Sequence, residues 1–167
     1  MEKSLFWNSS DDDRVLMAEE FLLYFSVMIS EGIFPCIADN LKVLPGNGLN
    51  IVVSVGSASL EMARLYHNDS PKTLPIAPDI ALPRINRVVV RCDKINRVTT
   101  AEILTGTPAT NPVPPPLTRD VSVWELCLAD IHVPANASAI SAGNIIDTRL
   151  DPSLCGVVNS LVAAVYE

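Results

Sequence analysis

The proline run at residues 108–116 is the sequence feature that most restricts the fold of this chain. Five of these nine residues are proline, namely Pro108, Pro112, Pro114, Pro115 and Pro116. Proline has no backbone N–H and a fixed φ, so the run cannot continue a helix or lie inside a sheet. We expect residues 107–120 to form an extended, polyproline-like surface arm. Such an arm can serve as a ligand for SH3-type domains, but inside a folded domain it is usually a rigid connection.

Stretches rich in β-branched residues lie on both sides of this arm. RINRVVVRCD and NRVTTAEILTG precede it and are separated by a few turn-compatible residues, which predicts an antiparallel hairpin. VSVWELCLADIHV follows the arm and fits a long central strand, although WELCLAD also fits a helix. The arm therefore divides a strand-rich region.

The first strand of the predicted hairpin has two different faces. Arg87 and Arg91 are four residues apart and share one face, while the other carries Val88, Val90 and Cys92. The valine face is the natural core face. The arginine face is then solvated, paired with acids such as Glu102, or used at an interface, and the pattern leaves these three choices open.

The region from residue 41 to residue 76 also consists of short strands and turns. LKVLP and LNIVVSVG flank GNG, which predicts a hairpin with PGNG as its turn. SASLEMARLYHND fits either a helix or two short strands. KTLPIA contains a proline and suits an edge strand or an extended crossing segment.

Both ends of the chain show patterns that are typical of helices. In SSDDDRVLMAEEFLLYFSVMIS apolar residues recur at three- and four-residue spacing, Ser10 or Asp11 is a suitable N-cap, and Gly32 and Pro35 follow as stop signals. The apolar run at residues 153–166 predicts a terminal helix. We therefore predict an α+β fold, with the N-terminal helix packed on a mostly antiparallel sheet or sandwich. The expected division is a domain at residues 1–150 and a helical extension or subunit-contact segment at residues 151–167.

The charge of the chain restricts its partners. Nineteen acidic residues against twelve Lys and Arg give a net charge of −7, which disfavours nucleic acid and anionic membrane surfaces as partners. The longest apolar stretch, FLLYFSVMIS, is too short to cross a bilayer, and the start lacks the apolar run of a signal peptide. We expect a protein that stays in a cytoplasm or enters a particle assembled there.

Motifs for catalysis are missing from the sequence. It contains no GxSxG, Walker loop, HExxH or GxGxxG pattern, and His67 and His132 are its only histidines. Its four cysteines, Cys36, Cys92, Cys127 and Cys155, are scattered without CxxC spacing and are best read as buried free thiols. We therefore expect no enzymatic activity, no cofactor and no metal.

A series of motifs in a fixed order resembles a known family. The motifs are MEKSLFWNS, EGIFP, LPRINRVVVRCDKINR, GTPATNP, PPPLTRD, VWELCLADI and DTRLDPSLCGVV. In this order they resemble the N-terminal domain of upper-baseplate-type tail proteins from phages of Gram-positive bacteria, which also occurs in tail-like bacteriocin particles. The resemblance covers nearly the whole chain, but GSASLEMARLYHND departs from the glycine- and aromatic-rich hairpin expected there.

The resemblance implies a structural role in the virion. It implies a non-enzymatic component of a tail tip or baseplate that anchors or connects receptor-binding parts by forming oligomers, often trimers, and by contacting other tail proteins. Contact with cell-wall saccharide would then be indirect, because relatives continue into a distal host-binding region and this sequence ends at Glu167. The alternatives are a saccharide-binding module that contacts the host cell wall directly, a cell-wall hydrolase, and a small regulator in the host cytoplasm.

Two groups of residues are candidates for contacts between subunits. Phe6 and Trp7 precede the predicted helix, and they either anchor in a neighbour or staple the helix to its own core. The apolar C-terminal run is either an inter-subunit helix or a helix docked on its own domain. The candidate contact residues are Phe6, Trp7, Arg87, Arg91, Val157, Val158, Leu161 and Val165.

Overall fold

Antiparallel strands are the main regular secondary structure of the fold. The computed structural model describes residues 17–35, 39–78 and 81–162. Within these ranges it has one α-helix, α1 (Ala18–Ser26), and two 3-10 turns, Glu61–Ala63 and Ala142–Asn144. The strands are β1 (Gly32–Ile33), β2 (Val43–Pro45), β3 (Asn50–Val53), β4 (Gly56–Leu60), β5 (Arg64–Asn68), β6 (Lys72–Pro75), β7 (Arg84–Asp93), β8 (Val98–Leu104), β9 (Val123–Val133) and β10 (Ile145–Asp147).

The strands form three antiparallel sheets that share one core. The sheet orders are β1-β4-β5, β2-β3-β6 and β10-β9-β7-β8. A single hydrophobic cluster joins buried residues of all three sheets, including Leu60, Ile51 and Val88. The prediction of an α+β fold is therefore wrong, and the described part of the protein is a mostly β structure.

The four-stranded sheet confirms the hairpin and the long strand that the sequence predicts. β7 pairs with β8 and with β9 over most of its length. Val88, Val90 and Cys92 of β7 all lie in the core cluster, as expected for the valine face. The ladder between β7 and β9 contains a β-bulge, because Val88 lies opposite Ala129 whereas Val89 lies opposite Cys127.

The two smaller sheets show which of the structures that the sequence allowed are formed before residue 77. β2 and β3 form the predicted hairpin around PGNG, and β6 is the edge strand of their sheet, as KTLPIA suggested. The ambiguous stretch SASLEMARLYHND forms two strands, β4 and β5. Between these two strands, Met62 and Ala63 both have positive φ. The chain therefore reverses direction at a point where a helix would have continued.

Helix α1 does not pack on a sheet in the way that the sequence predicted. None of its residues is buried, and Phe21 and Phe25 are each 47% exposed. It lies beside the 3-10 turn Glu61–Ala63 and ends at Ser26, well before the predicted stop at Gly32. The predicted N-cap at Ser10 or Asp11 lies outside the described residues.

The helical form predicted for the C-terminal segment is also wrong. Residues 155–161 run in an extended path beside residues 28–33 and exchange backbone hydrogen bonds with them. Gly32 allows this close approach, since a Cβ there would lie 2.6 Å from the carbonyl carbon and oxygen of Gly156. Gly156 itself has φ +83°, which a helix cannot accommodate. Backbone partners near the start of the described chain thus replace the helical hydrogen bonds.

Candidate interaction surface

Arg87 points away from the core and joins β7 to β9 and to the proline-rich arm. Its Nε donates to Oδ1 of Asp130 on β9 at 2.9 Å. One of its terminal nitrogens donates to the carbonyl oxygen of Pro115 at 2.8 Å. Arg87 therefore attaches the arm, residues 107–120, to the outer face of the four-stranded sheet.

Arg91 lies further along the same face, between two carboxylates of the neighbouring strands. It donates to Glu102 on β8 at 3.1 Å and to Glu125 on β9 at 3.2 Å. The pairing with Glu102 was one of the choices that the sequence left open. Glu125 is fully buried, and its second oxygen accepts the backbone N–H of Thr118 in the arm at 2.6 Å.

The proline-rich arm thus lies over the arginine face, and that face is not left in solvent. Val89 lies on it between Arg87 and Arg91, and it is completely buried. Arg119 fixes the end of the arm to the sheet, because its Nε donates to the carbonyl oxygen of Glu125 at 3.0 Å. Both arginines of the predicted contact set therefore have partners within the chain, and their use between subunits stays a prediction.

Trp124 is held by two neighbours at the margin of this sheet. Its indole N–H donates to Oε2 of Glu31 at 2.8 Å, and the Arg119 guanidinium lies 6.0 Å from the ring centroid. Burial raises the pKa of Glu31, and the hydrogen bond from Trp124 opposes that rise. These contacts occupy the N–H and one side of the ring that a sugar would otherwise use.

An apolar groove runs along α1. Its volume is about 740 Å³. Ser59 is its one polar lining residue, and the others are Ala18, Phe21, Leu22, Phe25, Met28, Ile29, Phe34, Ala63 and Leu65. Leu65 is 61% exposed on β5, so the side chains of the groove wall reach solvent. Apolar side chains are therefore grouped at the surface along α1.

A basic cleft of about 340 Å³ adjoins the apolar groove and shares Ala18, Leu22 and Leu65 with it. Three cationic side chains line this cleft, those of Arg64, Lys94 and Arg97, together with the acidic Glu19 and Asp93. The surface formed by the apolar groove and the basic cleft is called the α1 surface below.

The charges of the basic cleft are only partly matched by the residues that the structure describes. Lys94 forms an ion pair with Glu61. The Asp93 carboxylate accepts the N–H groups of Asn96 and Ile95 in the β7–β8 turn, and these bonds lower the pKa of Asp93. Neither Arg64 nor Arg97 has a carboxylate partner among the residues that the structure describes.

The C-terminal candidates for subunit contacts lie in the extended segment. Val158 donates its N–H to the carbonyl oxygen of Ile33, and Leu161 donates to that of Met28, each at 2.9 Å. Val157 forms a parallel bridge with Ile33. Phe6, Trp7 and Val165 lie outside the described residues. The role of all of these residues between subunits stays a prediction.

The described cysteines are buried free thiols, as the sequence suggested. Cys92, Cys127 and Cys155 form no disulfide, and burial raises the pKa of both Cys127 and Cys155 to about 12. Cys36 lies outside the described residues. In the part of the chain described here, no three His, Cys, Asp or Glu side chains are grouped to hold a metal ion, and no helix could cross a membrane.

The sequence did not predict the α1 surface. Arg64 and Leu65 lie in SASLEMARLYHND, which fitted either a helix or strands, so their direction could not be assigned. Arg97 belongs to the turn after β7 and has φ +56°. A signal was nevertheless present, because Phe21 and Phe25 recur at helical spacing beside other apolar residues.

Comparison with known proteins identifies no relative. No protein-family model, no curated protein and no solved structure matches the chain.

Proposed function

We propose that this protein is a non-enzymatic structural component of the tail tip or baseplate of a phage or of a phage-tail-like particle. In this role it anchors or connects receptor-binding parts to the tail by oligomeric assembly. It is assembled in the host cytoplasm and binds copies of itself and other tail proteins. The motif series from MEKSLFWNS to DTRLDPSLCGVV is what ties the proposal to this class of particle.

The observation that carries the assembly role is the apolar groove of the α1 surface. Phe25 and Leu65 face it while remaining 47% and 61% exposed. Burying exposed apolar side chains favours association, so a partner that covers this groove stabilises the complex. An assembly protein needs such a surface, whereas an enzyme needs convergent polar groups.

The test is to replace Phe25 with aspartate and to measure the mass of the full chain by sedimentation equilibrium over a range of concentrations. We expect the wild-type chain to form oligomers and the Phe25→Asp variant to lose this association at least about tenfold in dissociation constant, which corresponds to about 1.4 kcal/mol. The melting temperature should change little, since Phe25 is already half exposed.

The matched control is Val113→Asp, which introduces the same charge at a residue that is 74% exposed in the proline-rich arm and lines neither the groove nor the basic cleft. This control should assemble like the wild type. Mass spectrometry of purified particles tests the location, and we expect the chain among the tail proteins. A wild-type chain that stays monomeric, or that is absent from particles, would contradict the proposal.

A further inference from the structure

We propose that the α1 surface binds residues 5–13 of a second copy of the chain, with the apolar side chains of that segment in the groove and its aspartates in the basic cleft. This inference rests on the proposed self-assembly and identifies what covers the α1 surface. The segment, LFWNSSDDD, lies outside the described residues, and its chemistry follows from its sequence.

The order of chemical groups in the segment matches their order on the surface. Leu5, Phe6 and Trp7 form an apolar trio, and Asp11, Asp12 and Asp13 follow four to six residues after Trp7. On the surface, an apolar groove is followed by a cleft in which Arg64 and Arg97 have no carboxylate partner in the described chain. The segment therefore offers aromatic groups to the apolar groove and carboxylates to the two arginines.

The dimensions of the segment and the surface also agree. The nine residues of α1, along which the groove runs, span about 13 Å at 1.5 Å per residue. The six residue-to-residue steps from Phe6 to Asp12 span at most about 20 Å in extended form. A single segment can therefore cover the apolar groove and still place its aspartates in the basic cleft.

The sequence between the segment and α1 favours a second copy over the chain's own segment. The aspartates would lie at the end of the surface where Ala18 begins α1. A chain that covered its own surface would have to reverse direction within residues 14–17. These residues are Arg, Val, Leu and Met, and none of them is a residue type that favours tight turns. A segment from a neighbouring copy needs no such reversal.

The experiment is a charge exchange in the full chain. One variant carries Asp11→Lys, Asp12→Lys and Asp13→Lys, and the other carries Arg64→Glu and Arg97→Glu. Each variant alone should associate at least about tenfold more weakly than the wild type, because like charges then meet in the cleft. An equal mixture of the two should regain association, since each variant then offers the charge that the other one needs.

Controls separate the possible outcomes. Asp69→Lys changes an exposed acid that does not line the α1 surface and should leave association unchanged. Circular dichroism verifies that each variant is folded. As a measurement that needs no variant, raising the salt from about 0.05 M to about 0.5 M should weaken association of the wild type, because exposed charge pairs are screened.

Three results would overturn the inference while leaving self-assembly intact. They are association that neither charge variant weakens, association that the mixture does not restore, and wild-type association that does not respond to salt. Failure to restore association in the mixture would point to the chain's own segment or to another partner as the occupant. A wild-type chain that is monomeric at high concentration would instead contradict the proposed self-assembly itself.

Discussion

At the scale of single residues, the buried carboxylate of Glu125 connects the four-stranded sheet to the proline-rich arm. It is fully buried, and it binds Arg91 and the backbone N–H of Thr118. Glu102 binds the same arginine with a side chain that is 37% exposed. A buried charge depends on its partners, whereas an exposed pair is screened by water, so the two carboxylates should differ greatly in their contribution to stability.

We predict that Glu125→Gln destabilises the protein by about 2 kcal/mol, because it removes the charge facing Arg91 and leaves amide hydrogens without acceptors. The matched variant Glu102→Gln should cost less than about 1 kcal/mol. Urea unfolding of the two variants measures the difference. Equal losses of stability in both variants would show that the burial of Glu125 does not determine its contribution.

The sequence predicted part of the charged group on the arginine face, which consists of Arg87, Arg91, Glu102, Glu125 and Asp130. The four-residue spacing of Arg87 and Arg91 placed them on one face, and Glu102 was named as a possible partner of that face. The pairing of Asp130 with Arg87 could not be predicted, because strict alternation along β9 places Glu125 and Asp130 on different faces of the sheet. The bulge adds one residue to β9 opposite Val88 and Val89, which shifts the alternation and returns Asp130 to the arginine face. A bulge depends on the paired strand, so one strand's sequence does not reveal it.

At the scale of elements, the proline-rich arm begins at a tight crossing. Gly106 follows β8, and its N–H donates to Oδ1 of Asn86 at 3.1 Å. A Cβ on Gly106 would lie 1.9 Å from the carbonyl oxygen of Ile85 in β7. The backbone of the arm therefore passes so close to the sheet that only glycine fits there.

We predict that Gly106→Ala destabilises the protein by about 2 kcal/mol or more, because β7 or the arm must move to remove the overlap. Gly143→Ala is the matched control, since a Cβ there has no neighbour nearer than 3.9 Å. It should change stability by less than about 0.5 kcal/mol. Thermal melting of both variants tests this, and a neutral Gly106→Ala would contradict the close packing of the arm.

Strands were easier to predict than helices in this chain. The β7–β8 and β2–β3 hairpins combine β-branched runs with clear turn residues, and both formed as expected. The C-terminal run is equally apolar, but its backbone bonds go to residues 28–33, more than a hundred residues away. Local patterns contain no information about such distant partners, so tertiary pairing overrode the helical pattern.

At the scale of the whole molecule, three small sheets depend on one shared core. Cys155, from the extended C-terminal segment, belongs to that core together with strand residues of all three sheets. Aromatic residues make up only 5% of the chain, which predicts a core made of aliphatic residues. The order in which the sheets pack depends on pairings that composition does not specify. The sequence did not predict the α1 surface for the same reason, since that surface forms only where α1 meets β5.

We predict that stability falls as the pH rises from about 9 toward 12. Burial raises the pKa of Cys127 and Cys155 from 9.0 to about 12. The unfolded chain therefore loses thiol protons in this range while the native protein keeps them. Each thiol then lowers the free energy of unfolding by at most about 1.4 kcal/mol per pH unit.

Urea unfolding at several pH values measures this dependence. The double variant with Cys127→Ala and Cys155→Ala should have a lower stability at neutral pH but a flatter decline above pH 9. Tyr66, whose pKa burial also raises, contributes to the decline that remains. A slope that the double variant leaves unchanged would show that the thiols are not responsible.

The pairing of residues 28–33 with residues 155–161 has a consequence for biosynthesis. These two segments lie near the start and near the end of the described chain, and one hydrogen bond between them joins residues 127 positions apart. On the ribosome, the segment after α1 must wait for its partner until almost all of the described chain has been translated. Met28 and Ile29, which line the groove of the α1 surface, therefore gain their backbone partners only late in synthesis.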